Sequence, residues 1–231
     1  TQGYGPAAIL GAAYDPGTPI GIIGDSIAAG YTDNDDGYIV RALGSAFSYQ
    51  RVAHNSENTS RWYSQSQTRR QSALTGPCTH FIWEHGINYL SVNLQPFSAI
   101  VWRRLARRGV AIYACTITPQ TTSTDSWATP GNQTVGSNES LRAGYNDWLR
   151  AGAPLNPSTF VPVAVGTAGA LVAGQAGHPL VGYFEIADLA ETARNSGKWK
   201  ANYTGDGTHL NATGAAACAA GIDTTKFKAA A

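Results

Sequence analysis

The segment Ile20-Gly21-Ile22-Ile23-Gly24, entered from Pro19 and closed by Asp25-Ser26, constrains the fold of this chain most tightly. It is apolar on both alternating faces, too short for a core helix, and cut off by glycine and polar residues. Such a run reads as a parallel strand buried on both sides. Residues 26–30 are then expected to begin a helix. The same pattern of apolar run and polar stop recurs over 49–54, ahead of Asn55-Ser56-Glu57-Asn58-Thr59-Ser60, and over 79–83, ahead of Glu84-His85-Gly86-Ile87-Asn88. A helix is expected over 96–108, with Phe97, Ile100, Val101 and Leu105 toward one side, Gly109 stopping it and a strand at 110–117 following at once.

Strand, helix, strand in that order predicts an α/β fold, an open parallel sheet covered by helices, with function gathered at the carboxyl ends of the strands. Further along, 118–139 is rich in Thr, Ser, Gln, Asn, Gly and Pro and has no period, so it reads as a long surface loop. A helix over 141–149, a strand over 160–165, an ambiguous stretch over 166–177 and a short strand or loop over 183–188 follow. A helix over 189–194, a loop over 202–211 and a last helix over 212–220 complete the expectation. No repeat or linker interrupts the chain, so residues 1–231 read as one domain.

Composition removes several classes of function. With 43% hydrophobic and 13% charged residues and a net charge of +1, there is neither a strong field for a nucleic acid nor the charge excess of a disordered tail. The pairs Arg69-Arg70, Arg103-Arg104 and Arg107-Arg108 read as solvated helix surface. No apolar run reaches the roughly 18 residues of a membrane span. A start at Thr1 suits a mature exported chain whose signal has been removed, and suits a trimmed chain equally. The triplets at Asn58, Asn132, Asn138, Asn202 and Asn211 lean toward export. Cys78, Cys115 and Cys218 form either one disulfide with a spare thiol or three buried thiols, with no Cys-x-x-Cys pair and no catalytic role.

Four side chains carry candidate chemistry. Ser26 follows a buried strand at a helix start, where backbone N–H groups face any negative charge that develops beside it, as acyl transfer requires. Serine at this place also serves as an N-cap. In Asp206-Gly207-Thr208-His209 a turn across glycine brings the carboxylate to the imidazole, fixing its tautomer. An imidazole normally titrates near neutrality and so can take and return a serine proton. A surface turn with an Asp cap is the alternative. Asn88, past the end of a strand, offers an amide to an oxyanion or simply makes a turn.

Together these blocks resemble the GDSL or SGNH hydrolases. Gly24-Asp25-Ser26-Ile27-Ala28-Ala29-Gly30 resembles the family's nucleophile block, Gly86-Ile87-Asn88 its oxyanion asparagine block, with Tyr89 where Asp is usual, and Asp206-Gly207-Thr208-His209 its Asp and His block. The order of blocks matches across most of the chain. The resemblance implies a single-domain, three-layer α/β/α sandwich around a mostly parallel sheet. It implies a serine esterase or lipase with Ser26, Asp206 and His209 as the triad. Its oxyanion hole comprises Ser26, Asn88 and a backbone N–H after the second strand. That last donor is usually a Gly; here Glu57 stands in the slot, and Asn58, which tolerates positive φ better, is the alternative.

Neither metal nor cofactor is expected. His54, His80 and His85 with Glu57 or Glu84 lack zinc-ligand spacing, and 166–177 lacks the partner residues of a nucleotide loop. Asp188 reads as a helix cap. The aromatic residues Trp62, Tyr63, Trp83, Tyr89, Trp127, Tyr145 and Trp148 suit sugar binding, so the expected partner is a small ester or an acetylated glycan. A short-chain or aryl esterase, a lipase, and a noncatalytic glycan-binding domain are the alternatives.

Overall fold

A computed structural model describes residues 18–64 and 76–227; Arg69-Arg70 lie outside them. The core is a five-stranded, all-parallel sheet of β1 (Ile20–Gly24), β2 (Tyr49–Ala53), β3 (His80–Glu84), β4 (Ala111–Cys115) and a later strand, Gly182–Phe184. The spatial order is β2-β1-β3-β4 and then that later strand. The chain therefore leaves β1 toward β2 on one side and returns to β3 on the other. In an open parallel sheet this reversal opens a crevice beyond the carboxyl ends of the two central strands. All five residues of β1 are buried, as its apolar run on both faces requires.

Helices enclose the sheet. α1 (Gly37–Leu43) packs on the last helix, Ala212–Ala219, and α2 (Thr59–Tyr63) on α3 (Gln95–Ala106). Between them in sequence lie β5 (Thr121–Ser123), β6 (Gln133–Val135), α4 (Glu139–Arg150), β7 (the Gly182–Phe184 strand) and α5 (Ala187–Ala190), with α6 the last helix. Trp62, Trp83, Trp102, Trp148 and Trp199 are all fully buried, and Trp102 stacks on Trp148 with ring centroids 5.8 Å apart, joining α3 to α4. The three cysteines are buried free thiols. No helix among the described residues is long and apolar enough to cross a membrane.

Four expectations change, the first being the helix expected over 189–194, which is instead α5 at Ala187–Ala190. Residues 118–139 are not an irregular loop: β5 and β6 pair as an antiparallel hairpin. The strand expected over 160–165 reduces to a single bridge, Leu155 to Pro162. Proline supplies no N–H and cannot extend a ladder there. The helix expected at 26–30 is a single turn closed by Ala29 N–H to the Asp25 carbonyl and Tyr31 N–H to the Ser26 carbonyl, and the first true helix begins at Gly37.

Removing the Trp102 side chain empties the contact between α3 and α4. Trp102→Ala is expected to cost about 3–5 kcal/mol, read as a lower urea midpoint at unchanged slope.

Candidate active site

Gly24 ends β1 and pairs with Ala53 of β2 and Glu84 of β3. A Cβ on Gly24 would lie 2.4 Å from the Ala28 Cβ and 2.6 Å from the Glu84 carbonyl oxygen, so only glycine lets the chain turn here against its neighbours. The turn is capped by Asp25, whose Oδ1 accepts from the Ile27 N–H at 2.9 Å. Ser26 is thereby released from capping. Its hydroxyl instead meets His209 Nε2 at 2.7 Å, across 183 residues of sequence.

His209 is held by its own loop. Its Nδ1 lies 2.6 Å from Asp206 Oδ2, while Asp206 Oδ1 accepts from the Thr208 and His209 N–H groups at 2.9 and 2.8 Å. Burial pushes the Asp206 carboxyl up, but these N–H groups and the imidazole outweigh it and hold it below its ordinary value. With Nδ1–H donated to the carboxylate, Nε2 is the acceptor facing the Ser26 hydroxyl. Ser26, His209 and Asp206 are thus joined in one continuous chain of hydrogen-bond contacts.

The hairpin braces this loop. Gly207 has φ +80°, its carbonyl accepts from the Thr121 N–H at 2.9 Å and from Trp199 Nε1 at 3.0 Å, and a Cβ on it would lie 1.9 Å from the Thr121 carbonyl oxygen. Trp127 Nε1 donates to Thr121 Oγ1 at 2.8 Å, and its carbonyl accepts from the Asn202 N–H. Gln133 of β6 exchanges two hydrogen bonds with the Trp199 backbone. What read as a polar surface excursion is the outer wall of the Asp206–His209 loop.

Asn88 lies in a 3₁₀ turn, Ile87–Tyr89, past β3, and its Nδ2 donates to the Glu57 carbonyl oxygen at 3.0 Å. This bond joins the loops after β2 and β3, and leaves the second amide hydrogen of Asn88 for another acceptor. The Glu57 assignment is revised. Its N–H closes a turn onto the His54 carbonyl at 3.0 Å, so Glu57 turns its carbonyl, not its N–H, toward Asn88. The argument for Asn58 also changes, because the positive φ falls on Ser56 (61°) and Asn58 is extended at −129°. Asn58 Oδ1 caps α2, and among the described residues the N–H groups of Asn58 and Ser26 donate to no acceptor.

Next to the Ser26 turn lies a group of buried ionisable side chains. Asp25, Glu57, Glu84 and His85 are all buried, and among the described residues Asp25 Oδ2, Glu84 Oε2 and both His85 nitrogens make no hydrogen bond of ordinary geometry. Burial pushes Asp25 up to about 7; burial and the neighbouring Asp25 push Glu84 well above the carboxylate range; burial drives His85 down to about 3. His85 is accordingly neutral, and its 3.9 Å approach to Glu57 is not an ion pair at neutral pH. The signal was present: Glu84 is the one acid that ends an apolar strand beside Gly24. Among the described residues no three His, Cys, Asp or Glu side chains converge as metal ligands.

The expected aromatic platform is largely core. Trp62, Trp83, Tyr145 and Trp148 are buried, Tyr89 packs on Phe97, and Tyr63 on Phe97 and Arg104. Trp127 is half-buried in the hairpin. Asp188 caps no helix; it pairs with Arg150 and Arg194.

No protein-family model and no curated protein matches this sequence. Solved structures match its fold. The chain is similar to the acetyl xylan esterase AlAXEase at 12% identity, over 90% of this chain and 98% of that one, with a TM-score of 0.58. It is similar to a GDSL-like lipase from Bacteroides thetaiotaomicron at 12% identity over 90% and 87%, with a TM-score of 0.54. A two-domain esterase active on acetylated mannans matches at 13% identity over 91% of this chain and 48% of that one, with a TM-score of 0.51. The fold is that of the GDSL hydrolases.

Glu84 has a folded-state pKa above its unfolded value of about 4.3. Its contribution to stability is therefore complete below that pH and is lost as the pH rises, because the unfolded chain releases the proton first. Asp25 acts with the same sign up to about 7. In Glu84→Gln the fall of Tm between roughly pH 5 and pH 8 is expected to flatten. An unchanged slope would mean that Glu84 is ionised in the fold.

Proposed function

We propose that this chain is a serine carboxylic ester hydrolase working through an acyl-enzyme, and that it removes acetyl groups from a carbohydrate. The observation that carries the first part is the Ser26–His209–Asp206 chain, with contacts of 2.7 and 2.6 Å. Ser26 Oγ attacks the ester carbonyl as His209 Nε2 accepts its proton; the imidazolium is stabilised by Asp206. Collapse of the tetrahedral intermediate breaks the bond to the alcohol, which leaves with the proton held on Nε2. Water, deprotonated by the same nitrogen, attacks the acyl-serine, and the acid departs as Ser26 recovers its proton.

The oxyanion is received by the Ser26 N–H and the second Asn88 amide hydrogen, with the Asn58 N–H as the donor from the loop after β2. These groups are fixed before the reaction, by the turn at Gly24 and by the Asn88 bond to Glu57, so they need no reorganisation as charge develops. The acetyl-sugar part of the reading is supported by the fold's likeness to an acetyl xylan esterase and to an esterase active on acetylated mannans.

Hydrolysis of 4-nitrophenyl acetate by the intact chain and its loss in Ser26→Ala tests the reaction. Equal rates from both would count against Ser26 as the nucleophile, and no hydrolysis above background by either would leave a noncatalytic binding domain. Acetate release from acetylated xylan, compared with short and long acyl esters, separates the sugar reading from a general esterase or lipase. Asn88→Ala is expected to lower kcat by about a hundredfold or more, roughly 3 kcal/mol of barrier, with the fold retained; an unchanged kcat would take Asn88 out of the oxyanion hole.

A further inference from the structure

The segment after the nucleophile turn is unusual in its backbone. Thr32, Asn34 and Asp35 have φ of 71°, 53° and 61°, three non-glycine residues in the left-handed region within four positions. Such a conformation persists only where its surroundings impose it. Here the buried Asp33 does so: it accepts from Arg41 Nη2 at 2.6 Å and Nε at 2.7 Å, and from the Gly37 N–H at 3.1 Å. The Thr32 hydroxyl donates to the Leu210 carbonyl at 3.1 Å, which ties the segment to the loop of the catalytic histidine. The Tyr31 N–H is anchored on the Ser26 carbonyl at 3.0 Å.

The residue this rim presents is Tyr31. Its ring meets the His209 ring edge-on, centroids 4.7 Å apart at 63°, yet the residue is 50% exposed. A large aromatic left half in water beside a catalytic imidazole is poorly explained by core packing. The position has a chemical meaning if the esterase reading above holds, on which this inference rests. His209 protonates the departing alcohol, so the alcohol oxygen lies beside Nε2, and a side chain flanking the imidazole from the solvent borders the alcohol half of the ester.

We propose that Tyr31 is the alcohol-side contact of the substrate, an aromatic face for the ring of a neutral sugar. Phenol rings combine an apolar face with a polar tip and suit a ligand that is half apolar and half hydrated. The rim favours a neutral ring: Asp33, Asp35 and Asp36 outnumber the guanidiniums of Arg41 and Arg51 that reach it, leaving no cationic excess for a uronate. Selection would act on the alcohol and leave the acetyl group to the oxyanion site.

The test uses two acetates that differ only in the alcohol, ethyl acetate and a monoacetylated methyl xylopyranoside, with the whole chain, Tyr31→Ala, Tyr31→Phe and Ser26→Ala. The ratio of kcat/KM for the xyloside over ethyl acetate is expected to fall by about tenfold or more in Tyr31→Ala and by less than about threefold in Tyr31→Phe, which keeps the ring. An unchanged ratio in Tyr31→Ala overturns the proposal. That includes an equal loss on both esters, the outcome if Tyr31 only steadies His209. Failure of the esterase reading looks different, since wild type and Ser26→Ala would then be equally inactive on both esters, and the assignment of Tyr31 would fall with it.

Discussion

The placement of β1 between β2 and β3 is the constraint on which the rest of this molecule depends. Its residues pair in parallel with both neighbours, and the register sets Gly24 beside Ala53 and Glu84 at one edge of the sheet. Three loops leave that edge together: one carries Ser26, one Glu57 and Asn58, one Asn88. The chain reverses its direction of travel across the sheet at this point, the place where open parallel sheets form a crevice. A shift of one residue in β1 would exchange its two faces and carry Ser26 away from His209.

The fourth loop comes from far along the chain and is held differently. Asp206 to His209 is organised locally, by N–H groups converging on one carboxylate oxygen, and globally through Gly207, whose carbonyl is shared by Thr121 and Trp199. Strand pairing fixes Ser26; side-chain and backbone hydrogen bonds from a hairpin fix His209. Positioning at this level matters because misplacement of a reacting group by about 1 Å costs on the order of a hundredfold in rate.

Beside the Ser26 turn the molecule accepts an electrostatic cost. Asp25 caps the turn that frees the Ser26 hydroxyl, and Glu84, buried next to it, retains a proton that an exposed carboxyl would lose. Two carboxyls in a dry space cannot both ionise. The arrangement orders the turn at the expense of stability at neutral and higher pH, a trade found where backbone geometry at a reacting centre outranks folding free energy.

The parallel α/β class was legible in the sequence, because apolar runs with polar stops follow local rules; Ser26, Asn88, Asp206 and His209 could each be a cap or a turn by local rules, and only the resemblance of their ordered blocks to those of the GDSL hydrolases singled them out. What lay beyond local rules went unread. Glu57 sits in the expected loop, but which way its N–H points depends on the turn that Ser56 makes, and the structure turns that N–H onto His54. The tryptophans were visible, but only packing revealed that Trp62, Trp83 and Trp148 are core and that Tyr31 is the aromatic left in water beside His209. Residue type and spacing determined which side chains could carry chemistry. Tertiary structure alone decided which groups meet, since a hydroxyl and an imidazole 183 residues apart are brought to 2.7 Å by sheet register and a bracing hairpin.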